Sequence, residues 1–125
     1  MTGTGLKVLL VDDEADILEV IQDRLEAYGF RVITASNGVE ALDKIAMEDF
    51  DGIFLDVKMP EMGGIEALEE IRKKDQKIPI IIITSSSTRE AAIDAIAKGA
   101  NDYVLKPFEW VELKAKIEKV YNIAL

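Results

Sequence analysis

The chain has 125 residues, a formal net charge of −9 at pH 7, no cysteine and no histidine, which excludes thiol catalysis, zinc-finger ligation and a Ser-His-Asp hydrolase. Its acidic surface would repel nucleic acid and anionic membrane, and no apolar run is long enough to span a bilayer. The short run LKVLLV leads directly into DDE and is not a signal peptide, so we expect a cytoplasmic protein.

This length predicts one domain over residues 1–125, with residues 1–5 as a disordered or tag-derived tail. Short apolar runs and amphipathic stretches alternate five times along the chain. The apolar runs predict strands at residues 6–11, 31–35, 52–56, 79–84 and 102–105. The amphipathic stretches predict five helices. The first two span residues 14–28 and Asn37 to about 47. The third follows a loop at 59–64 and ends at about 74, the fourth lies between Ser87 and Gly99, and the fifth begins at about 109.

Capping residues mark several of these boundaries. Asn37 and Ser87 are each followed three residues later by a glutamate, which is the capping-box pattern of a helix start. Gly29 and Gly99 stand where a helix ends in a left-handed cap. Caps and periodicity therefore predict the same helix ends.

The alternation of strands and helices predicts a (βα)5 arrangement. Short connections and right-handed crossovers require a parallel sheet with helices on both faces. Four consecutive isoleucines at 80–83 agree with this, because a strand that is buried on both faces is apolar throughout.

Polar residues follow the predicted strands at one edge of the sheet. Asp12 and Asp13 come after the first strand and Asp56 ends the third, while Thr84 ends the fourth and Lys106 follows the fifth. In open α/β sheets, ligands bind outside the carboxyl ends of the strands. The five side chains predict an acidic pocket with one hydroxyl and one ammonium, suited to a divalent cation and a phosphoryl group.

Each of these residues alone also has an ordinary structural interpretation. Asp12 and Asp13 would suit the N-terminus of the first helix, and Asp56 could be a loop aspartate. Thr84 could be an ordinary strand residue and Lys106 a solvated lysine. The three carboxylates together favour a functional site, because like charges at one strand edge need a compensating cation.

Four motifs now carry a resemblance: VLLVDDE, LDVKMPEMGG, IIITS and DYVLKPF, in this order and at these intervals. The chain resembles the receiver domain of two-component response regulators, the CheY-like family, over about residues 5–122. The resemblance implies a flavodoxin-like, doubly wound (βα)5 fold with strand order 2-1-3-4-5. One departure is Gly63, which stands where the family often has aspartate.

The resemblance also implies roles for the residues around the third strand. Asp56 matches the phospho-acceptor. Asp13 matches the direct ligand of Mg²⁺, with Mn²⁺ as a substitute, while Asp12 would act through water and Lys58 through its backbone carbonyl. At the rim, Lys58 and Ser86 would tune the lifetime of the phosphate.

Further positions match the switching apparatus of the family. Thr84 matches the switch hydroxyl, Tyr103 the aromatic residue that reports activation, and Lys106 the lysine that neutralises a phosphoryl oxygen. The Lys106–Pro107 bond would be cis. The output surface would lie at about residues 88–122, where a downstream effector or a second copy of the chain would bind.

The function implied is a phosphoryl-accepting switch served by a sensor histidine kinase or a phosphotransfer protein. It is not a classical enzyme: self-phosphorylation from small donors and weak autodephosphorylation are the most it would do.

A haloacid-dehalogenase-type phosphatase would need a DxD motif, but Val57 and Lys58 follow Asp56. A flavodoxin-like cofactor binder would need a hydroxyl- and glycine-rich loop where this chain has DDEAD. A receiver-like scaffold that is not phosphorylated is the remaining alternative.

Overall fold

The computed structural model describes residues 4–58 and 63–125, so positions 59–62 of the predicted loop lie outside the described residues. The strands are β1 (Lys7–Val11), β2 (Arg31–Ala35), β3 (Gly52–Leu55), β4 (Ile80–Ser85) and β5 (Asp102–Lys106). The helices are α1 (Ala15–Ala27), α2 (Gly38–Met47), α3 (Gly64–Lys74), α4 (Arg89–Ala97) and α5 (Trp110–Tyr121), with a short 3₁₀ helix (Ser86–Thr88) before α4. The predicted alternation of strands and helices is confirmed.

The five strands form one parallel sheet in the order β2-β1-β3-β4-β5. This is the order implied by the resemblance, and the predicted flavodoxin-like α/β fold is confirmed. Each pair of consecutive strands is connected through a helix, which returns the chain to the same end of the sheet and keeps every strand parallel. All five carboxyl ends therefore meet at one edge.

The core lies on both faces of the sheet, as the isoleucine run predicts. Ile80 and Ile82 belong to the apolar cluster that α2, α3 and α4 cover, whereas Ile81 and Ile83 belong to the cluster that α1 and α5 cover. All four side chains are buried. Burial on alternate faces follows from the two-residue period of a strand.

Three of the predicted caps are present. Gly29 has φ 97° and Gly99 has φ 114°, which is the left-handed region that glycine adopts without a steric penalty. The side chain of Asn37 accepts a hydrogen bond from the backbone N–H of Glu40 at 2.8 Å. These caps set the ends of α1 and α4 and the start of α2.

The predicted capping box at Ser87 is wrong. Ser87 lies inside the 3₁₀ helix, and α4 begins only at Arg89. The physical reason is competition among adjacent hydroxyls: the side chain of Ser85 accepts the N–H of Ser87 at 3.2 Å and turns the chain two residues earlier. The helical path is therefore entered from Ser85.

Residues 1–3 of the predicted tail lie outside the described residues, whereas Thr4 and Gly5 contact the end of α1. The N–H of Gly5 and the hydroxyl of Thr4 both donate to the carbonyl of Gly29, at 3.1 and 3.2 Å. These bonds hold the chain beside the end of α1, so Thr4 and Gly5 belong to the fold.

None of the helices in residues 4–58 and 63–125 has the length and apolar character needed to cross a membrane.

Candidate functional site

The register of the central strands places Asp12 and Asp56 side by side. Val11 of β1 pairs with Leu55 of β3, and each aspartate is the next residue along its strand. The N–H of Asp56 donates to the carbonyl of Val11 at 2.9 Å, which extends the ladder to the sheet edge. Both carboxylates therefore lie at the carboxyl edge of the sheet, as predicted.

Asp56 is only 4% exposed, and its two carboxylate oxygens have different surroundings. The Oδ1 atom accepts from the hydroxyl of Thr84 at 2.6 Å and from the N–H of Lys58 at 2.9 Å. From the described residues, the Oδ2 atom accepts one longer hydrogen bond, donated by the ammonium of Lys106 at 3.4 Å. Oδ2 is therefore the oxygen with capacity left for another group.

Asp12 is 2% exposed and does not cap α1. Its Oδ1 atom accepts from the N–H of Glu14 at 3.0 Å, and its Oδ2 atom accepts from Lys106 at 2.8 Å. Glu14 occupies the N-cap position without a side-chain cap bond. The interpretation of Asp12 as a simple helix cap is therefore not the arrangement observed.

Lys106 is the cation of the site, and its side chain is 13% exposed. It pairs in register with Ser85 at the end of the sheet, and the peptide bond that joins it to Pro107 is cis. Burial lowers the pKa of the ammonium, but the hydrogen bond to Asp12 and the charges of Asp56 and Asp12 outweigh burial, so the pKa lies above its ordinary value. Lys106 is therefore held in the charged form.

Carboxylate oxygens of Asp12, Asp13, Glu14 and Asp56 all lie within 4.8 Å of one another. Asp13 and Glu14 are exposed to solvent, and Glu14 also lies 3.7 Å from Lys106. Among residues 4–58 and 63–125, four carboxylates against the one ammonium of Lys106 leave a strong excess of negative charge. Oxygen ligands in this number fit a hard divalent cation such as Mg²⁺. Sequence reasoning missed Glu14, although the third acid of DDE was the signal for it.

A second hydroxyl also reaches the site. The Oγ1 atom of Thr88 lies 2.8 Å from the Oγ1 atom of Thr84, and it donates to the carbonyl of Ser85 at 2.8 Å. Sequence reasoning missed Thr88. No periodic signal could have found it, because the contact spans a strand end and a 3₁₀ turn.

The remaining predicted residues lie around this centre. The side chain of Lys58 is exposed, Ser86 is exposed at the start of the 3₁₀ helix, and Tyr103 is half-buried on β5. The ammonium of Lys116 lies 5.0 Å from the centroid of the Tyr103 ring. Within residues 4–58 and 63–125, no hydrogen bond joins the side chain of Lys58, Ser86 or Tyr103 to the carboxylates.

A groove adjoins the acidic cluster between α1 and the segment that joins β5 to α5. Its volume is about 420 Å³, and Lys106 lies on its wall. The apolar part of the lining includes Ile17, Val20, Phe108 and Trp110. An apolar surface therefore continues directly from the charged centre.

Comparison with known proteins agrees with this geometry. The family model described as the response regulator receiver domain matches residues 8–118. The probable transcriptional regulator ycf27 of Guillardia theta is 44% identical over 94% of this chain and 46% of its own length. The alkaline phosphatase synthesis transcriptional regulatory protein PhoP of Bacillus subtilis is 39% identical over 91% of this chain and 48% of its own length.

A solved structure gives the same result. The response regulator protein TrrA of Thermotoga maritima, in complex with Mg²⁺-BeF, is 39% identical with a TM-score of 0.82, over 92% of this chain and 98% of that one. The chain spans between 27% and 48% of the length of the curated relatives that it matches. Because the family model covers most of the chain, and the fold and strand order agree with it, the chain belongs to the response regulator receiver domain family.

Proposed function

We propose that this chain, as one receiver domain over residues 1–125, accepts a phosphoryl group on Asp56 from a phosphohistidine of a sensor histidine kinase or a phosphotransfer protein. The observation that carries the proposal is the state of Asp56, a buried carboxylate that contacts one hydroxyl, one N–H and one ammonium. These donors hold the carboxyl group of Asp56 in a fixed orientation at the sheet edge. A carboxylate held in this way can act as a nucleophile toward phosphorus.

In the proposed transfer, the Oδ2 atom of Asp56 attacks phosphorus. The O–P bond forms while the P–N bond of the phosphohistidine breaks, and the imidazole nitrogen leaves with the electron pair of that bond. Lys106 lies 3.4 Å from Oδ2 and would neutralise a phosphoryl oxygen. Thr84, now bonded to Oδ1, can transfer its hydrogen bond to another phosphoryl oxygen. The product is an aspartyl phosphate.

The acidic cluster fits Mg²⁺, and Mn²⁺ would substitute because it takes the same oxygen ligands. Asp13, Asp56 and the backbone carbonyl of Lys58 would hold the ion, with Asp12 acting through water. The exposure of Asp13 supports a direct role, and the bond from Lys106 to Asp12 supports an indirect one. When bound, the cation would reduce the repulsion between Asp56 and an anionic phosphoryl group.

The chemistry proposed beyond transfer is slow. Small phosphate donors would phosphorylate Asp56 without a kinase, and water would hydrolyse the product weakly. Lys58 and Ser86 are both exposed at the rim, where their side chains would influence the approach of that water. The conclusion is a signalling switch with a limited phosphate lifetime.

The groove beside Lys106 is where the donor protein would lie. A protein that brings a phosphohistidine to Asp56 must cover the surface next to it, and that surface includes Val20 and Trp110. Apolar side chains there would hold a partner surface while the charged centre receives the phosphoryl group.

A cytoplasmic location stays a prediction.

Switching would begin at Thr84. Its hydroxyl already bonds Asp56, so phosphorylation would redirect an existing hydrogen bond and would not create the first one. Redirection would move the segment Ser85–Thr88, which leads into α4, and Tyr103 on the neighbouring strand would turn in response. The negative charge of the added phosphoryl group would favour the rearranged state of this segment.

The output surface would be α4, β5 and α5, at about residues 88–122. Ile93 and Ile96 of α4 are exposed apolar side chains on this surface. Salt bridges such as that of Lys116 with Asp102, at 3.4 Å, surround it with charge. A downstream effector or a second copy of the chain would dock there, and direct contact with nucleic acid or membrane is not part of the proposal.

Intact mass after incubation with acetyl phosphate and Mg²⁺ tests the proposed function. One phosphoryl adduct is expected on the unaltered chain and none on Asp56→Asn or in the presence of EDTA. Binding of beryllofluoride, an analogue of the phosphoryl group, is measured in the same samples in case the adduct hydrolyses quickly. Absence of both adduct and analogue binding would favour the unphosphorylated scaffold.

A further inference from the structure

A chain of hydrogen bonds runs from Asp56 to the start of α4. The Oγ1 atom of Thr84 lies 2.6 Å from Oδ1 of Asp56 and 2.8 Å from Oγ1 of Thr88. Thr88 in turn lies 2.8 Å from the carbonyl oxygen of Ser85. Each hydroxyl carries a single proton, so the direction of each bond can be assigned.

Asp56 determines these directions. The hydroxyl of Thr84 donates its one proton to Oδ1 of Asp56. Thr84 can then only accept in its contact with Thr88, and Thr88 must be the donor there. The carbonyl of Ser85 competes for the same proton of Thr88. The hydroxyl of Thr88 is therefore shared between the switch residue and the main chain before α4.

Helix capping does not account for this placement. Thr88 occupies the N-cap position of α4, where a threonine side chain ordinarily accepts a hydrogen bond from the first turn of the helix. Thr88 makes no side-chain cap bond. Its hydroxyl, on a half-buried residue, is directed at Thr84, whose own side chain is fully buried.

We propose that Thr88 is a positioning residue that acts through Thr84. By donating to Oγ1 of Thr84, it directs the one proton of Thr84 away from α4 and into the acidic cluster. A phosphoryl group on Asp56 then meets a donor that is already oriented. Because Thr88 directly precedes α4, the same bond transmits any shift of Thr84 to the first turn of that helix. This inference rests on the proposed function.

A double-mutant cycle on analogue affinity tests the inference. The dissociation constant of beryllofluoride at saturating Mg²⁺ is measured for the unaltered chain, Thr88→Val, Thr84→Val and the double variant, with the fluorescence of Trp110 as the signal. Valine keeps the branched shape of threonine and replaces the hydroxyl with a methyl group. Loss of one oriented hydrogen bond predicts affinity weaker by about three- to tenfold for Thr88→Val, and less than about twofold further loss when it is added to Thr84→Val. Thr88→Ser, which keeps the hydroxyl, should stay within about twofold of the unaltered chain.

Three outcomes overturn the inference while the proposed function stands: full affinity in Thr88→Val, the same loss with and without Thr84, or no recovery in Thr88→Ser. Thermal unfolding of each variant confirms that it is folded before its affinity is compared. If the unaltered chain neither binds the analogue nor forms the adduct, the proposed function fails, and the inference fails with it.

Discussion

Asp13→Asn distinguishes a metal site from a simple accumulation of acids. Asp13 is an exposed member of the cluster, and within the described part of the chain it makes no hydrogen bond or ion pair. The substitution therefore removes one charge and one candidate ligand while it leaves the contacts of Asp12 and Asp56 in place. Without metal it should stabilise the fold, and with Mg²⁺ it should lose most of the stabilisation that the ion brings.

The separation of the carboxylates gives the size of the first effect. Two unit charges 4.8 Å apart repel by about 0.9 kcal/mol in water and by about 3.5 kcal/mol at an effective dielectric constant of 20. Asp13 is exposed, so the lower value applies to its repulsion from each neighbouring carboxylate. The attraction of Asp13 to the ammonium of Lys106 offsets part of that total repulsion. We expect the free energy of unfolding to rise by about 1 kcal/mol, which for a chain of this length raises the melting temperature by about 4 °C.

Binding of Mg²⁺ gives the second effect. At a concentration ten times the dissociation constant, an ion that binds only the folded chain adds about 1.4 kcal/mol to the free energy of unfolding. The melting temperature of the unaltered chain should then rise by about 5 °C. In Asp13→Asn the same concentration should raise it by less than about 1 °C, because a direct ligand has been lost.

Thermal unfolding followed by circular dichroism, with and without Mg²⁺ at constant ionic strength, measures both effects. Asp43→Asn is the matched control, since Asp43 is exposed on α2 and the substitution changes the net charge by the same amount. An equal response to Mg²⁺ in Asp13→Asn and the unaltered chain would refute the metal site. Failure of Asp13→Asn to exceed Asp43→Asn without metal would refute the repulsion.

Three other substitutions test separate contacts. Lys58→Ala should change the half-life of the aspartyl phosphate and leave the melting temperature unaltered, because the bond to Asp56 comes from the main chain; decay of a radiolabelled adduct measures this. Thr84→Ala should still accept the phosphoryl group but lose the phosphorylation-linked change in amide hydrogen exchange of α4, and an unaltered change would refute its coupling role. Gly52→Ala would place a Cβ 1.5 Å from the Tyr121 hydroxyl, so the free energy of unfolding should fall by about 1–3 kcal/mol, and by less in a Tyr121→Leu background.

Most of the fold was predictable because the sequence signals are periodic and local. The isoleucines at 80–83 indicate a strand that is buried on both faces, and that burial is observed. Asn37 and Gly29 mark boundaries through side-chain and backbone properties that depend only on near neighbours. Ser87 is the exception. The hydroxyl of Ser85 accepts the N–H of Ser87, and the sequence alone does not decide which of several adjacent hydroxyls makes the capping bond.

The centre of the site was predictable for a different reason. Parallel strands bring their carboxyl ends to one edge, so the strand ends alone place Asp12, Asp56 and Lys106 together. The division of the two Asp56 oxygens between Thr84 and Lys106 was not predictable, since it depends on distances of a few tenths of an ångström. The contact of Thr88 was likewise beyond reach, because it depends on the path of a 3₁₀ turn.

The adjacent glycines Gly63 and Gly64 look equivalent in the sequence, but the structure leaves room for a side chain at Gly63 and none at Gly64. A Cβ on Gly64 would lie 2.2 Å from the carbonyl oxygen of Asp56 and 2.5 Å from the Cα atom of Val57. Both neighbours are main-chain atoms, so no change of rotamer relieves the contact. Gly64→Ala must therefore displace either the start of α3 or the strand end that carries Asp56.

Among the residues that the structure describes, a Cβ on Gly63 would meet only the carbonyl oxygen of Val57, at 3.7 Å. The φ of Gly63, −70°, suits any residue. Gly63→Asp would place a carboxylate at the N-cap of α3 and restrict the unfolded chain, so we expect a gain of up to about 1 kcal/mol in the free energy of unfolding. Gly64→Ala should instead lower both the melting temperature and the yield of phosphorylated chain from acetyl phosphate. If Gly64→Ala kept both, the close approach of α3 to Asp56 would not be what requires glycine there; if Gly63→Asp lowered stability, its N-cap geometry would not be open to a side chain.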